Sequence, residues 1–398
     1  MNYFIEAAEA KRIIEENIFK ASSIQLPLLG ALGFYSSQSI EAPINVPSFD
    51  NSAMDGYGFH FSDGDVFSKL RVIDEIPAGP FSRSLKLKEG EAVRIFTGAK
   101  VPQEVDTVIM QEKVQYDGDY ITFDPLGIRK GDNIRLKGSQ TKKGDCILSG
   151  NTLITSSVIG FLAGFGIDTI NVFSPLKLGL LITGNELVEI GNPLTDGKIY
   201  NSNQYMLQAA LAEIHQSFCF AQHVKDTFED TFSAVQKSID EVDVLLITGG
   251  ISVGDYDYVK ASLEQTGVEI LFYKIRQKPG KPLLFGKLGK KYVFALPGNP
   301  ASVFSCYHQY VKPFLLGLAG RTNFYEEQDW AVSETYSQKK STELTQFLKA
   351  YHHHGKVTIL NAQESYKMNS AAQSNCLVEF AKEKTEINIG EKIKIWKM

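Results

Sequence analysis

Between about residues 175 and 320, continuous apolar runs alternate with segments of helical pattern, and this rhythm limits the fold more than any other feature of the chain. LKLGLLITG, FCFAQHV, VDVLLITGG and VEILFYKI read as strands. LKLGLLITG is apolar without alternation, the mark of a strand buried on both faces. Between the strands lie QYMLQAALAEI, which Asn201 or Ser202 can cap, then DTFEDTFSAVQKSIDEV and YDYVKASLEQTG. Strands alternating with helices of about 10–15 residues build βαβ units and a mostly parallel sheet. PLLFGKLGKKYVFALPG reads as a hairpin-like strand pair, and NPASVFSCYHQYVKPFLLGLAG as a helix.

Open α/β sheets bind ligands beyond the carboxyl ends of their strands, so the residues after each strand are the first candidates for function. In VDVLLITGGISVGDYDYVK (242–260) the strand runs into Gly249 and Gly250, then Ser252, Gly254 and Asp257. Paired glycines let backbone N–H groups approach an anion, and a following helix start favours negative charge. Ser252 can donate to a phosphate oxygen; Asp257 can hold a metal or orient a proton. A tight strand–helix turn with a capping Asp has the same spacing. The motif is neither a Walker A loop nor the Gly-x-Gly-x-x-Gly of a dinucleotide site. TGNEL places Glu186 at a second strand tip, as a metal or base group or a plain helix-start acid. KIRQKPGKP packs Lys274, Arg276, Lys278 and Lys281 behind a third strand, which would carry these cations towards the same crevice; a solvated basic loop is the competing reading. At a fourth tip, Pro297 and Pro300 bracket Gly298 and Asn299 in a rigid turn that can shape a pocket floor.

The remainder has a different texture. With 398 residues, two to four domains are expected. Residues 1–49 read as a helix, with Phe4, Ala8, Ile14 and Ile18 at helical spacing, followed by an irregular Pro-containing stretch. Residues 50–140 hold short β-rich runs with Asp-Gly turn signals. Residues 141–174 return to small and apolar residues, with a helix around 156–165. The last 70-odd residues are β-like again. FDNSAMDGYGF carries Asp55 and RIFTGAKVP carries Thr97, each a weak signal alone. His352, His353 and His354 alternate faces on a strand and cannot converge on one ion.

The balance of 41 Lys+Arg against 46 Asp+Glu, a net charge of −5, does not advertise nucleic acid as a partner. VIGFLAGFGI (158–167) is well short of the roughly 18–20 residues of a membrane span, and the N-terminus lacks the basic start of a signal peptide. Cys146, Cys219, Cys306 and Cys376 stand singly, which speaks against a disulfide framework or zinc ribbon and for a reducing cytoplasm.

Taken in order, NSAMDGY, TGA-x-VP, NIR-x-x-G, TG-x-EL, IYNSNQYML, GGISVGDYDYVK, KPGKP and LPGNPASV resemble the molybdopterin molybdenumtransferases, whose eukaryotic relative is the C-terminal domain of gephyrin. QESYKMNSAAQSNCLVEF resembles the family's C-terminal pattern, so the likeness spans nearly the whole chain. It implies a multidomain α/β plus β fold in an elongated subunit that forms a homodimer. The parts would be residues 1–49 with 141–174, a β-rich insertion (50–140), a central three-layer α/β molybdopterin-binding domain (175–322) and a C-terminal β-barrel (323–398). The active site would lie between the α/β domain of one subunit and the insertion of the other.

By the same resemblance, molybdenum passes from molybdate to the dithiolene sulfurs of adenylylated molybdopterin, and AMP is released with Mg²⁺ assisting. Asp55, Thr97, Glu186, Asp226, Asp257, Lys274 and Lys278 would be catalytic. Gly249, Gly250, Ser252, Gly254, Lys281, Pro297, Asn299, Pro300 and Ser370 would bind substrate. Glu186, Asp226 and Asp257 would hold the metal. A transient contact with the enzyme that adenylylates molybdopterin is a further implied partner. The chain departs from the family at Ser139 and Gln140, where an acidic pair is usual, at Asn185 in place of Asp, and at Lys100 in place of proline. The first departure leaves a second reading open, a catalytically weakened scaffold of the gephyrin type.

Overall fold

The computed structural model describes residues 4–80, 85–251, 258–325, 327–339 and 343–398. Ser252, Gly254 and Asp257 lie outside the described residues. The chain divides into two compact units, one of residues 38–150 with 157–168 and the other of the remainder.

In the first unit, short runs of β-branched and aromatic residues form β1 (Gly56–Phe59), β2 (Lys69–Ile76), β3 (Glu91–Ile95), β4 (Thr107–Met110), β5 (Val114–Tyr116) and β6 (Tyr120–Phe123). They pair in the order β4-β1-β3-β2-β6-β5, antiparallel throughout except for β2 with β3. The expected Asp-Gly turn is present: Gly118 takes φ +97° between β5 and β6. Two clusters cover the sheet, one with Tyr57, Phe59, Leu70 and Ile121, the other with Ile76, Val93, Ile95 and Val108. Val93 and Ala92 are neighbours in sequence and enter different clusters, as the two-residue repeat of a strand requires.

The second unit opens with α1 (Ala7–Glu16) and continues through β7 (Leu178–Thr183), α2 (Ser202–Ala212), β8 (Phe218–Val224), α3 (Phe228–Ile239), β9 (Val244–Thr248), α4 (Tyr258–Gln265), β10 (Glu269–Tyr273), β11 (Leu284–Leu288), β12 (Lys291–Leu296), α5 (Pro300–Cys306) and α6 (Lys312–Leu318). The sheet order is β8-β7-β9-β12-β11-β10. β8, β7, β9 and β12 are mutually parallel, while β11 is antiparallel to both its neighbours. Leu180, Ile182, Leu246 and Phe294 enter one cluster, and Leu181, Leu245, Ile247 and Val293 the other. The sheet is therefore buried on both faces, which is why its strands read as unbroken apolar runs.

A barrel completes this unit: β13 (Gln328–Ser333), β14 (Thr345–His353), β15 (Lys356–Ile359), β16 (Cys376–Phe380) and β17 (Lys392–Lys397). The order β14-β15-β13-β17-β16 closes because β16 also pairs with β14.

Two local expectations are corrected. The buried stripe of α1 is Ala7, Ala10, Lys11 and Ile14, with Ala8 exposed. Lys11 takes an inward position because its ammonium sits 3.2 Å from the Trp396 ring centroid and donates to Gln309 Oε1 at 2.7 Å; burial pushes its pKa well down. The long helix after Asn299 is interrupted by a π-helical stretch at Tyr307–Val311.

Candidate functional site

Parallel strands put their carboxyl ends on one side, so Thr183, Thr248 and Leu296 deliver three turns to one place. The turns line a cavity of about 380 Å³ together with Asn203 and Asp226: Gly184 and Glu186 after β7, Gly249 and Gly250 after β9, and Pro297 to Pro300 after β12. Gly249 (φ +84°) and Gly250 (φ +60°) are in the left-handed region. A Cβ on Gly249 would stand 2.4 Å from the Thr183 carbonyl oxygen, so only glycine lets the β9 turn lie against β7. The Pro297–Pro300 turn is tied from two sides. Asn203 donates to the Gly298 carbonyl at 2.8 Å, and Asn299 donates to Ser365 Oγ at 3.2 Å.

The cavity holds two acids. Asp226 follows β8, where its backbone N–H donates to Asn185 Oδ1 at 3.3 Å. The Asn185 amide thus serves the turn. Burial first, and then the charge of Glu186, raise the Asp226 pKa from its ordinary value. Asp226 Oδ1 is buried and has no hydrogen-bond partner among the described residues. An acceptor oxygen left unsatisfied beside a second carboxylate could take a hard cation. Among the described residues no third His, Cys, Asp or Glu joins the pair.

The basic loop is placed differently from the sequence expectation. β10 does point the same way as β7, but it is the sheet's edge strand and β11 separates it from β12. Of this loop, Pro282 lines the first cavity. Lys278 lines another, of about 390 Å³, shared with barrel residues Gln346 and Asn361–Glu364. Gln277 and Lys278 pair in parallel with Thr345 and Gln346 at the start of β14, which fastens the loop to the barrel. Lys274 lies over the Tyr273 ring at 4.6 Å and Lys281 over the Phe4 ring at 5.0 Å. Ser370 is buried at 3% exposure and donates to the Ala362 carbonyl at 2.7 Å, bracing the wall of the second cavity from behind.

In the first unit, Asp55 and Thr97 come together as a pair. Asp55 precedes β1 and Thr97 follows β3, and these strands are antiparallel neighbours with Gly56 opposite Ile95. The Thr97 backbone N–H and hydroxyl both donate to Asp55 Oδ1, at 2.8 and 2.7 Å. Both bonds favour the ionised form and hold the half-buried Asp55's carboxyl below its usual pKa. Thr97→Val removes the hydroxyl donor and keeps the backbone one. The expected result is an Asp55 pKa that moves upward towards the ordinary value, read from the carboxyl ¹³C shift in an NMR titration. An unmoved titration would show that the hydroxyl does not act on the carboxylate.

Over 394 residues the chain is 35% identical to the molybdopterin molybdenumtransferase of Haemophilus influenzae, covering 96% of each protein. The chain belongs to the molybdopterin molybdenumtransferase family. It is also 31% identical to the Bacillus subtilis molybdopterin molybdenumtransferase, covering 86% of this chain and 82% of that protein. Residues 5–166 match the family described as "MoeA N-terminal region (domain I and II)", and residues 179–317 that described as "Probable molybdopterin binding domain". The crystal structure of a molybdopterin biosynthesis MoeA protein from Pyrococcus horikosii superposes with a TM-score of 0.85 at 26% identity, covering 99% of both chains. No helix among the described residues is long and apolar enough to cross a membrane.

Within this molybdenumtransferase fold, sequence reasoning passed over three residues. Thr183 lines the first cavity and its hydroxyl donates to the Thr248 carbonyl at 3.4 Å. Asn203 stands inside the IYNSNQYML motif, and that motif was the available signal. Gln277 is fully buried beneath the basic loop, where its amide donates to the Gly280 carbonyl at 3.1 Å and its oxygen accepts from Tyr310. A glutamine between two cations carries no mark of burial in sequence.

Proposed function

We propose that the chain inserts molybdate-derived molybdenum into adenylylated molybdopterin with release of AMP. The observation that carries this reading is the 380 Å³ cavity in which the Gly249-Gly250 turn faces the Glu186 and Asp226 carboxylates, in a chain of this family. Backbone N–H groups of a glycine turn suit a phosphate group. Glu186 and Asp226 would hold Mg²⁺, which when bound offsets the charge of the phosphoanhydride. Lys278 supplies a cation to an anion in the neighbouring cavity, and Lys274 stands at the start of the same loop. Pro297, Asn299 and Pro300 shape the floor. Ser252, Gly254 and Asp257 enter through the family motif alone, as do the cytoplasmic location and the contact with the adenylylating enzyme.

The Asp55–Thr97 pair, in which Thr97 holds the Asp55 pKa below its usual value, would complete the site across a homodimer, facing the cavity of the second copy. This arrangement follows the family pattern. The second reading, a binding scaffold of the gephyrin type, draws on Ser139 and Gln140, which are both exposed where the family has acids.

The test is AMP release from purified protein given adenylylated molybdopterin, molybdate and Mg²⁺, with Lys278→Ala alongside. Turnover by the wild type is expected. Lys278→Ala is expected to require more molybdate for half-maximal rate, by roughly tenfold for one lost charge-assisted contact of about 1.5 kcal/mol. Binding of the nucleotide without AMP release would favour the scaffold, and restoring an acidic pair at Ser139 and Gln140 would then be the deciding variant.

A further inference from the structure

The four cations of the loop after β10 differ in what they touch. The Arg276 guanidinium lies 4.5 Å from the Phe4 ring centroid and 3.8 Å from a Glu6 carboxylate oxygen. That oxygen also pairs with Lys382 at 2.8 Å. The Lys281 ammonium is 5.0 Å from the same Phe4 ring. Lys278 has no ion-pair partner among the described residues and lines the 390 Å³ cavity. The segment that supplies Phe4 and Glu6 is stitched to the loop through its backbone. Ile5 forms a parallel bridge with Ile275, its N–H donating to the Lys274 carbonyl at 3.3 Å and its carbonyl accepting from the Arg276 N–H at 2.8 Å. Ile5 and Ile275 are both buried. At the head of the loop Lys274 takes φ +69°, a backbone conformation that a residue other than glycine keeps only when its surroundings impose it.

We infer that Phe4 and Glu6 are positioning residues that sort the loop's cations, engaging Arg276 and Lys281 so that Lys278 is the charge presented to an anionic substrate. Four like charges within eight residues repel one another, and without a partner each competes for the same anion or turns to water. An aromatic face takes up a cation without neutralising it, and a carboxylate fixes the guanidinium beside it. Phe4, Ile5 and Glu6 line neither of the two cavities, so their effect passes through the loop. The nature of the anion rests on the function proposed above; the sorting of the cations does not.

The test uses the full chain with Phe4→Leu and Glu6→Gln combined, which keep apolar bulk and polarity in place. Four quantities are read: the rate at which an amine reagent labels Lys281 and Lys278, hydrogen exchange of the 274–281 amides, affinity for AMP and for molybdate, and the split between KM and kcat. Faster labelling of Lys281, faster exchange of the loop and a KM raised about five- to tenfold are expected, with kcat within about twofold and Tm within a few degrees. That size is the product of two losses of about two- to threefold each. Phe4→Tyr, which keeps the ring, restores the wild-type pattern. Unchanged labelling and KM would overturn the inference, as would a loss of activity that follows only the folded fraction. If the wild type releases no AMP while labelling and exchange still respond, the proposed reaction fails and the sorting stands.

Discussion

On the proposed function, Asp226→Asn is expected to lower molybdate-dependent AMP release by about 10²–10³-fold, the loss that follows removal of one group from a preorganised charged site, without unfolding the protein. The reason lies in what the carboxylate costs when nothing is bound to it. Its Oδ1 is buried without a partner, and burial and the Glu186 charge both raise its pKa. A folded-state pKa above the unfolded value means the folded protein holds the extra proton in the interval between the two. Stability from this group is complete below the unfolded pKa and is lost as pH rises through the folded pKa. Once ionised, Asp226 therefore works against the fold, and a bound cation would relieve it. The Asn variant has no such charge, so its Tm without Mg²⁺ is expected to equal or exceed that of the wild type. Mg²⁺ is expected to raise the wild-type Tm more than the variant's. Calorimetry of both proteins with and without Mg²⁺, beside the AMP assay, checks the claim. A wild-type Tm indifferent to Mg²⁺ together with a variant of normal rate would remove Asp226 from the cation site.

Gly249→Ala destabilises the second unit by about 3 kcal/mol, combining left-handed backbone strain with a forced separation of two strands. The added Cβ would meet the Thr183 carbonyl oxygen at 2.4 Å and its hydroxyl at 2.8 Å, and backbone cannot swing aside as a side-chain tip can. The comparison variant is Gly289→Ala in the β11–β12 turn. Gly289 has φ +60° and nothing within 4 Å of its Cβ position, so only the conformational cost of about 1 kcal/mol applies. Urea denaturation of both variants measures the difference. The Gly249 variant is also expected to lose AMP release, because the turn it displaces is a wall of the cavity. Equal losses at the two positions would mean that close approach to β7 is not what requires glycine at 249.

The strand tips were legible because each is a local event. An apolar run of five or six residues, a turn of glycines or prolines and a helix start are neighbours in sequence, and the parallel sheet brings the carboxyl ends together by topology alone. Glu186, Gly249, Gly250, Pro297, Asn299 and Pro300 line one cavity for that reason. Asp55 and Thr97 were each weak signals alone. They are 42 residues apart and meet through the pairing of β1 with β3, which no local pattern specifies.

The basic loop shows where local reading stops. Its cations were visible as a group, yet their division of labour depends on Phe4 and Glu6, some 270 residues earlier, and on β14, some 70 later. Lys11 is the same case in reverse. A lysine on an amphipathic helix reads as solvent-facing, but Trp396 and Gln309, each about 300 residues or more away in sequence, give its ammonium a ring face and an acceptor inside the core. What the sequence by itself determined are the elements, their order and the chemistry at each strand end, because periodicity and turn preference act over a few residues. Only the tertiary structure decided which charges are engaged and which are left for a ligand, because a charge is settled by whatever partner the fold brings within a few ångströms of it.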